Sequence, residues 1–151
     1  MEIAEADLAD PAVRAMIELH QRGMGAISPP GTCFALDVTG LSGPQVTLFG
    51  AWIDGHLAGI GALKRLGAGQ AEIKSMRTDP ACLGRGVARA ILEAIIATAT
   101  AEGVRQLSLE TGTSEMFGPA IGLYRQRGFT PGEPFAGYIN GPHNQCYHLP
   151  L

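Results

Sequence analysis

The chain has 151 residues, 46% hydrophobic and 17% charged, which suits one domain (residues 1–151) with a true core and excludes a disordered chain. Eleven Lys and Arg against 14 Asp and Glu give a net charge of −3, which does not advertise a nucleic-acid surface. The most apolar stretch, 88–101, is interrupted by Arg89 and Glu93 and is too short for a membrane span. The opening MEIAEAD has neither a basic nor an apolar signal region, so the expectation is a cytoplasmic protein. Cys33, Cys82 and Cys146 are odd in number and widely spaced, which fits neither a disulfide framework nor a zinc ribbon.

Residues 2–5 read as a short first strand. Asp10-Pro11 is a helix start, an N-cap carboxylate followed by proline at the first helical position. Val13, Met16, Ile17 and His20 follow at helical spacing, and Gly23 is expected to stop the helix. Residues 23–44, rich in Gly, Pro, Ser and Thr, read as a long loop with a short strand at Phe34-Ala35-Leu36. Residues 46–53 and 57–66 are strands joined by Asp54-Gly55, a hairpin turn. A second turn at 67–70 leads to a strand over 71–78, ended by Asp79-Pro80.

The glycine-bearing turn Cys82-Leu83-Gly84-Arg85-Gly86 runs into a helix over 87–102, closed by Gly103. Residues 106–110 form a short buried strand, 111–118 a second loop, and 119–127 a short helix capped by Gly128. Late strands begin at Phe129 and at Cys146. The order β-α-β-β-β-α-β-α-β-β predicts a mixed α/β sheet with helices packed on it.

The sharpest feature is strand, glycine turn, helix at 71–100. A helix N-terminus has unpaired N–H groups and a positive dipole end, and glycines let a phosphate approach the backbone. Gly84 and Gly86 with small Ala88 would form such a cradle, and Arg85 adds a charge. The alternative is a tight turn that needs glycine for geometry alone. No Gly-Lys-Ser/Thr follows, which excludes a P-loop, and no G-x-G-x-x-G is present.

The segments AEIKSMRTDPACLGRGVARAIL, LSLE and AIGLYRQRGF resemble the GNAT superfamily of acyl-CoA-dependent N-acyltransferases. The resemblance covers nearly the whole chain and is most specific over 71–129. Leu83-Gly84-Arg85-Gly86-Val87-Ala88 matches the family's pyrophosphate motif at Gly86 and Ala88, with leucine at its first position. Phe117 stands near a place where the family carries an asparagine. Within the superfamily, small bacterial YsnE-type acetyltransferases share the runs Gly61-Ala62-Leu63-Lys64, Glu72 to Met76 and Leu109 to Gly112.

The resemblance implies a mostly antiparallel GNAT-like sheet with a splayed central strand pair and acetyl-CoA as cosubstrate. It implies that Met76 and Thr78 pair with the pantetheine arm, the Met76 N–H aimed at the thioester oxygen. Residues 83–88 would hold the pyrophosphate. Strand alternation places Glu72, Lys74, Met76 and Thr78 on one face. Glu72 is the first candidate for the base that takes the amine's proton, in a run like that of histone-acetylating members; its alternative is an ion pair with Lys64, Lys74 or Arg77. Glu110, ending LSLE, is the rival base. Tyr124, in Leu123-Tyr124 before Gly128-Phe129, matches the last-helix signature and would protonate the departing thiolate.

Weaker candidates complete the reading. His20 either touches the acceptor or is structural, and Ser28-Pro29-Pro30 either stiffens a loop over the acceptor pocket or is plain surface. His143 and His148 lack a metal-ligand pattern, and no metal is expected. Lys64, Lys74 and Arg65 either meet an acidic group on the acceptor, such as an amino-acid carboxylate, or are solvated. The expected activity is acetyl transfer from acetyl-CoA to a primary amine of a small molecule, without nucleic-acid or membrane partners. The family's common homodimers extend to this chain as an open expectation. The alternatives are a non-catalytic acyl-CoA-binding or regulatory module and a nucleotide-binding domain.

Overall fold

The computed structural model describes residues 1–31 and 33–151; Thr32, within the predicted loop, lies outside them. Strands β1 (Glu2–Glu5), β2 (Val46–Ile53), β3 (His56–Gly67), β4 (Gln70–Thr78), β5 (Gln106–Gly112), β6 (Thr130–Gly132) and β7 (Asn144–Pro150) form one sheet. Its order is β1-β2-β3-β4-β5-β7-β6. Every neighbouring pair is antiparallel except β4 and β5. Helices α1 (Pro11–Ile27), α2 (Val38–Leu41), α3 (Val87–Ala101) and α4 (Gly118–Arg127) flank it.

The helices sort by their apolar faces. Helix α1 buries Val13, Met16, Ile17 and His20. The first three join Leu41, Leu48, Ile60 and Ala62 in a core on one side of the sheet. Helix α3 buries Val87, Ile91, Leu92, Ile95 and Ile96 against Leu63, Ile73, Leu107 and Leu109 on the other side. Close packing of α3 requires glycine beneath it. A Cβ on Gly61 would lie 2.5 Å from Met76 Sδ and 2.6 Å from Ile91 Cγ2.

Two chain-order expectations need correction. Gly23 does not stop α1, which runs on to Ile27 with Ser28 as C-cap. The Arg77 guanidinium approaches the helix at this glycine, 2.9 Å from where a Cβ would stand. Phe34-Ala35-Leu36 is not a strand. The Asp37 carboxylate accepts from Gly40 N at 2.8 Å and starts the one-turn α2. Phe34 packs edge-to-face on Tyr138, with ring centroids 5.2 Å apart.

The feature that positions the site is a fork in the sheet. Strands β4 and β5 pair only at Gln70–Gln106, Ala71–Leu107 and Glu72–Ser108. Beyond Glu72 they part, while β4 stays on β3 and β5 on β7. A bulge interrupts β4 between Lys74, paired with Ala62, and Arg77, paired with Ile60. Ser75 sits there at φ +57°. A bulge reverses which way the following side chains point. Alternation therefore fails at this point: Glu72 and Lys74 face α1, whereas Met76 packs with the α3 core. Thr78, opposite Gly59, shares that α3 side.

Candidate active site

A groove lies between the end of β4, the start of α3 and the inner face of α4. Met76, Thr78, Cys82, Gly84, Gly86, Val87, Ala88, Leu123 and Tyr124 line it. At its far end the backbone turns into α3 through Gly84 (φ +74°) and Gly86 (φ +79°), a left-handed conformation that glycine adopts without strain. Gly86 is the N-cap and has no side chain to satisfy the helix's free N–H groups. A Cβ at either glycine would meet nothing within 4 Å, so the approach to those donors is open. Val87 is buried beneath, while Arg85 and Leu83 are exposed, the latter at 66%. The cradle thus rests on backbone donors, and these fit the diphosphate of an acyl-CoA.

A second cleft opens at the fork on the α1 side. His20, Met24, Phe34, Glu72, Lys74, Ser75, Glu110 and Phe117 contribute to its walls. Met76, Ala120 and Tyr124 line both this cleft and the groove. The two spaces therefore share a wall where β4 bulges. Ser75 and Met76 have no register partner on β3 at that point.

The two candidate carboxylates stand on the same face of adjacent strands but in different surroundings. Glu72 is 2% exposed. Its Oε1 accepts from Tyr138 Oη at 2.5 Å and from Lys74 Nζ at 3.2 Å. Lys74 Nζ also donates to Tyr138 Oη at 2.6 Å and lies 5.3 Å from that ring's centroid. Glu110 has no hydrogen bond or ion pair among the described residues. Burial, with Glu72 adding to it and Lys74 opposing, pushes the Glu110 carboxyl up to about 7.

Tyr124 is 6% exposed, and its ring packs against Phe129 at 5.7 Å. Burial pushes its phenol far above the ordinary tyrosine range, so it stays protonated. The neighbouring cations do not all reach this site. Arg65 is committed to Glu102 through Nε at 2.7 Å and Nη2 at 2.6 Å, and neither it nor Lys64 lines the cleft. Among the described residues, no group of three His, Cys, Asp or Glu side chains is placed to hold a metal ion, and no helix is long and apolar enough to cross a membrane.

Sequence reasoning missed Tyr138. It belongs to the loop between β6 and β7, 66 residues from Glu72, and no local spacing signals their contact. It also missed Ser75, whose importance follows only from the bulge.

The acetyltransferase (GNAT) family model matches residues 13–129. The chain is 46% identical over 145 residues to the uncharacterized N-acetyltransferase YedL of Escherichia coli K12, covering 96% of this chain and 91% of that protein. It is 42% identical to the uncharacterized N-acetyltransferase YsnE of Bacillus subtilis 168, covering 95% of each. An aminoglycoside 6′-N-acetyltransferase solved with coenzyme A superposes with a TM-score of 0.73 at 10% identity, covering 99% of this chain and 97% of that one, a likeness of fold. The matched model, the two near full-length relatives and the forked sheet agree: the chain belongs to the acetyltransferase (GNAT) family.

Proposed function

We propose that the protein transfers an acetyl group from acetyl-CoA to a primary amine of a small molecule by direct attack. The observation that carries this reading is that groove and cleft share Met76, Ala120 and Tyr124 as walls. A thioester reaching along the groove from the Gly84–Ala88 cradle meets there an amine held in the cleft. Bringing the two together removes much of the entropic barrier.

In the proposed reaction the amine nitrogen attacks the thioester carbonyl carbon. The Met76 N–H faces the oxyanion that forms, a fixed donor placed where charge develops. The C–S bond breaks as the tetrahedral intermediate collapses to the amide. Glu110 takes the proton lost by the nitrogen, and Tyr124 donates its hydroxyl hydrogen bond to the departing thiolate; the proton that the thiolate gains is restored to Tyr124 from solvent as Glu110 releases its own. We assign the base role to Glu110 in preference to Glu72. A carboxyl poised near neutrality is matched to proton transfer at that pH, and among the described residues it has no hydrogen-bond or ion-pair partner. Glu72, held by Tyr138 and Lys74, instead sets the charge around Glu110.

The test is coenzyme A thiol release from acetyl-CoA with a panel of primary amines, with mass spectrometry of the product. Amine-dependent release with an N-acetylated product supports the reading. Tight acetyl-CoA binding without release under any amine points to a non-catalytic acyl-CoA-binding module.

A further inference from the structure

Three buried polar atoms have no hydrogen-bond partner among the described residues: His20 Nδ1, Ser75 Oγ and Arg77 Nε. Such atoms are costly, and their presence calls for a physical reason. All three belong to elements that meet at one place. His20 and Ser75, 6% and 7% exposed, both line the cleft. Arg77 crosses from β4 to α1 and lies against Gly23, one turn beyond His20.

The charges that act on His20 are the cations Arg77 and Lys74, the latter paired with Glu72. Burial, then Arg77, then Lys74 lower the His20 pKa to about 4, so the ring is neutral at physiological pH. With its proton on Nδ1 it is a donor. Glu110 stands across the fork on β5. The β5 side of the cleft carries the Glu110 carboxyl, which suits an amine, and the α1 side holds the unpartnered His20 and Ser75 groups, with Arg77 close to His20.

We propose that the α1 side of the cleft is a subsite for a carboxylate carried by the acceptor amine, held by the Ser75 hydroxyl and the His20 ring N–H and facing Lys74, with Arg77 close to His20. This rests on the acetyl-transfer reading and narrows it to amino-acid-like acceptors. A carboxylate satisfies both donors through charge-assisted bonds and is offset by the nearby cations; a neutral amide accepts more weakly, and an ammonium has no acceptor to offer. Met24, Phe34 and Phe117 leave apolar wall for the acceptor's side chain.

The test separates subsite from turnover. The N-acetyl derivatives of glycine, leucine and phenylalanine are compared by calorimetry with their carboxamides, with coenzyme A saturating. At least one acid should bind the wild type about ten-fold tighter than its amide, the size of a hydrogen-bonded charge. His20→Phe and Ser75→Ala should each shrink that ratio several-fold while leaving amide affinity in place. Ser75→Gly, which suits φ +57°, gives the same readout in a relaxed backbone. Equal binding of acid and amide by the wild type, binding of neither, or a ratio that survives every variant overturns the subsite. Acid-selective binding without acetylation of any amine keeps the subsite and overturns the transfer reading; acetylation of amines with equal binding of acid and amide does the reverse.

Discussion

Tyr138 donates to the Oε1 of Glu72 at 2.5 Å, and Lys74 closes a triangle with both. This network occupies Glu72, whereas the Glu110 carboxyl, across the fork, has no hydrogen-bond or ion-pair partner among the described residues. The network's charge sets the proton affinity of its neighbour, since Glu72 raises and Lys74 lowers the Glu110 pKa. Glu72→Gln removes the first effect and releases Lys74 to exert the second. The acid limb of the wild-type pH–rate profile should lie near 7 and move to lower pH in Glu72→Gln. Rate profiles of the two proteins with one amine check this; an unmoved limb would uncouple the carboxylates.

Glu110 also makes folding pH-dependent. Its folded pKa of about 7 exceeds the ordinary 4.5, so the folded state holds the proton more tightly than the unfolded state. Its contribution favours folding most below the unfolded pKa, declines as pH rises from about 4.5 to about 7, and is a constant penalty above that. Glu110→Gln should therefore stabilise the protein at pH 8 by about 1–2 kcal/mol, discounted for solvent at the cleft mouth, and flatten that part of the curve. Denaturant unfolding across the interval measures it.

The cradle prediction concerns Gly86. At φ +79°, with open space where a Cβ would point, Gly86 leaves the α3 donors accessible. Gly86→Glu introduces a bulky anion at that spot and should abolish acetyl-CoA binding. Calorimetry on the folded variant is the check, and unchanged affinity would remove the cradle from the account.

Tyr124→Phe retains the ring and its packing on Phe129 and loses only the hydroxyl. A thiolate is already a fair leaving group, because free thiols titrate near ~8.5. The loss should be about ten- to a hundred-fold in turnover, toward the low end of general-acid effects, with acetyl-CoA affinity little changed. Steady-state kinetics with the best amine decides; wild-type turnover would assign thiolate protonation to water.

Much of the fold was legible because its signals are local. Asp10-Pro11 starts α1, Asp54-Gly55 turns the hairpin, and the Gly84–Ala88 run opens α3, each through backbone chemistry carried by adjacent residues. The misreadings share a cause in tertiary contact. Gly23 looked like a stop because the approach of Arg77, 54 residues on in sequence, is invisible in a local window. Simple alternation put Met76 beside Glu72, since nothing in Lys74-Ser75-Met76 announces a bulge with a non-glycine residue at positive φ. The two carboxylates were both legible as candidates. Their ranking depends on Tyr138, which reaches Glu72 from the far end of the chain.

The central claim is that Glu110 takes the amine's proton where groove and cleft share a wall. The most direct measurement is kcat/KM for amine-dependent thiol release by wild type and Glu110→Gln between about pH 5 and about pH 9. The account predicts a wild-type inflection near 7, lost in Glu110→Gln, with the variant's rate at neutral pH lower by about 10²–10⁴-fold and recovering at high pH. A fully active Glu110→Gln that keeps the inflection, beside an inactive Glu72→Gln, would contradict it and return the base role to Glu72.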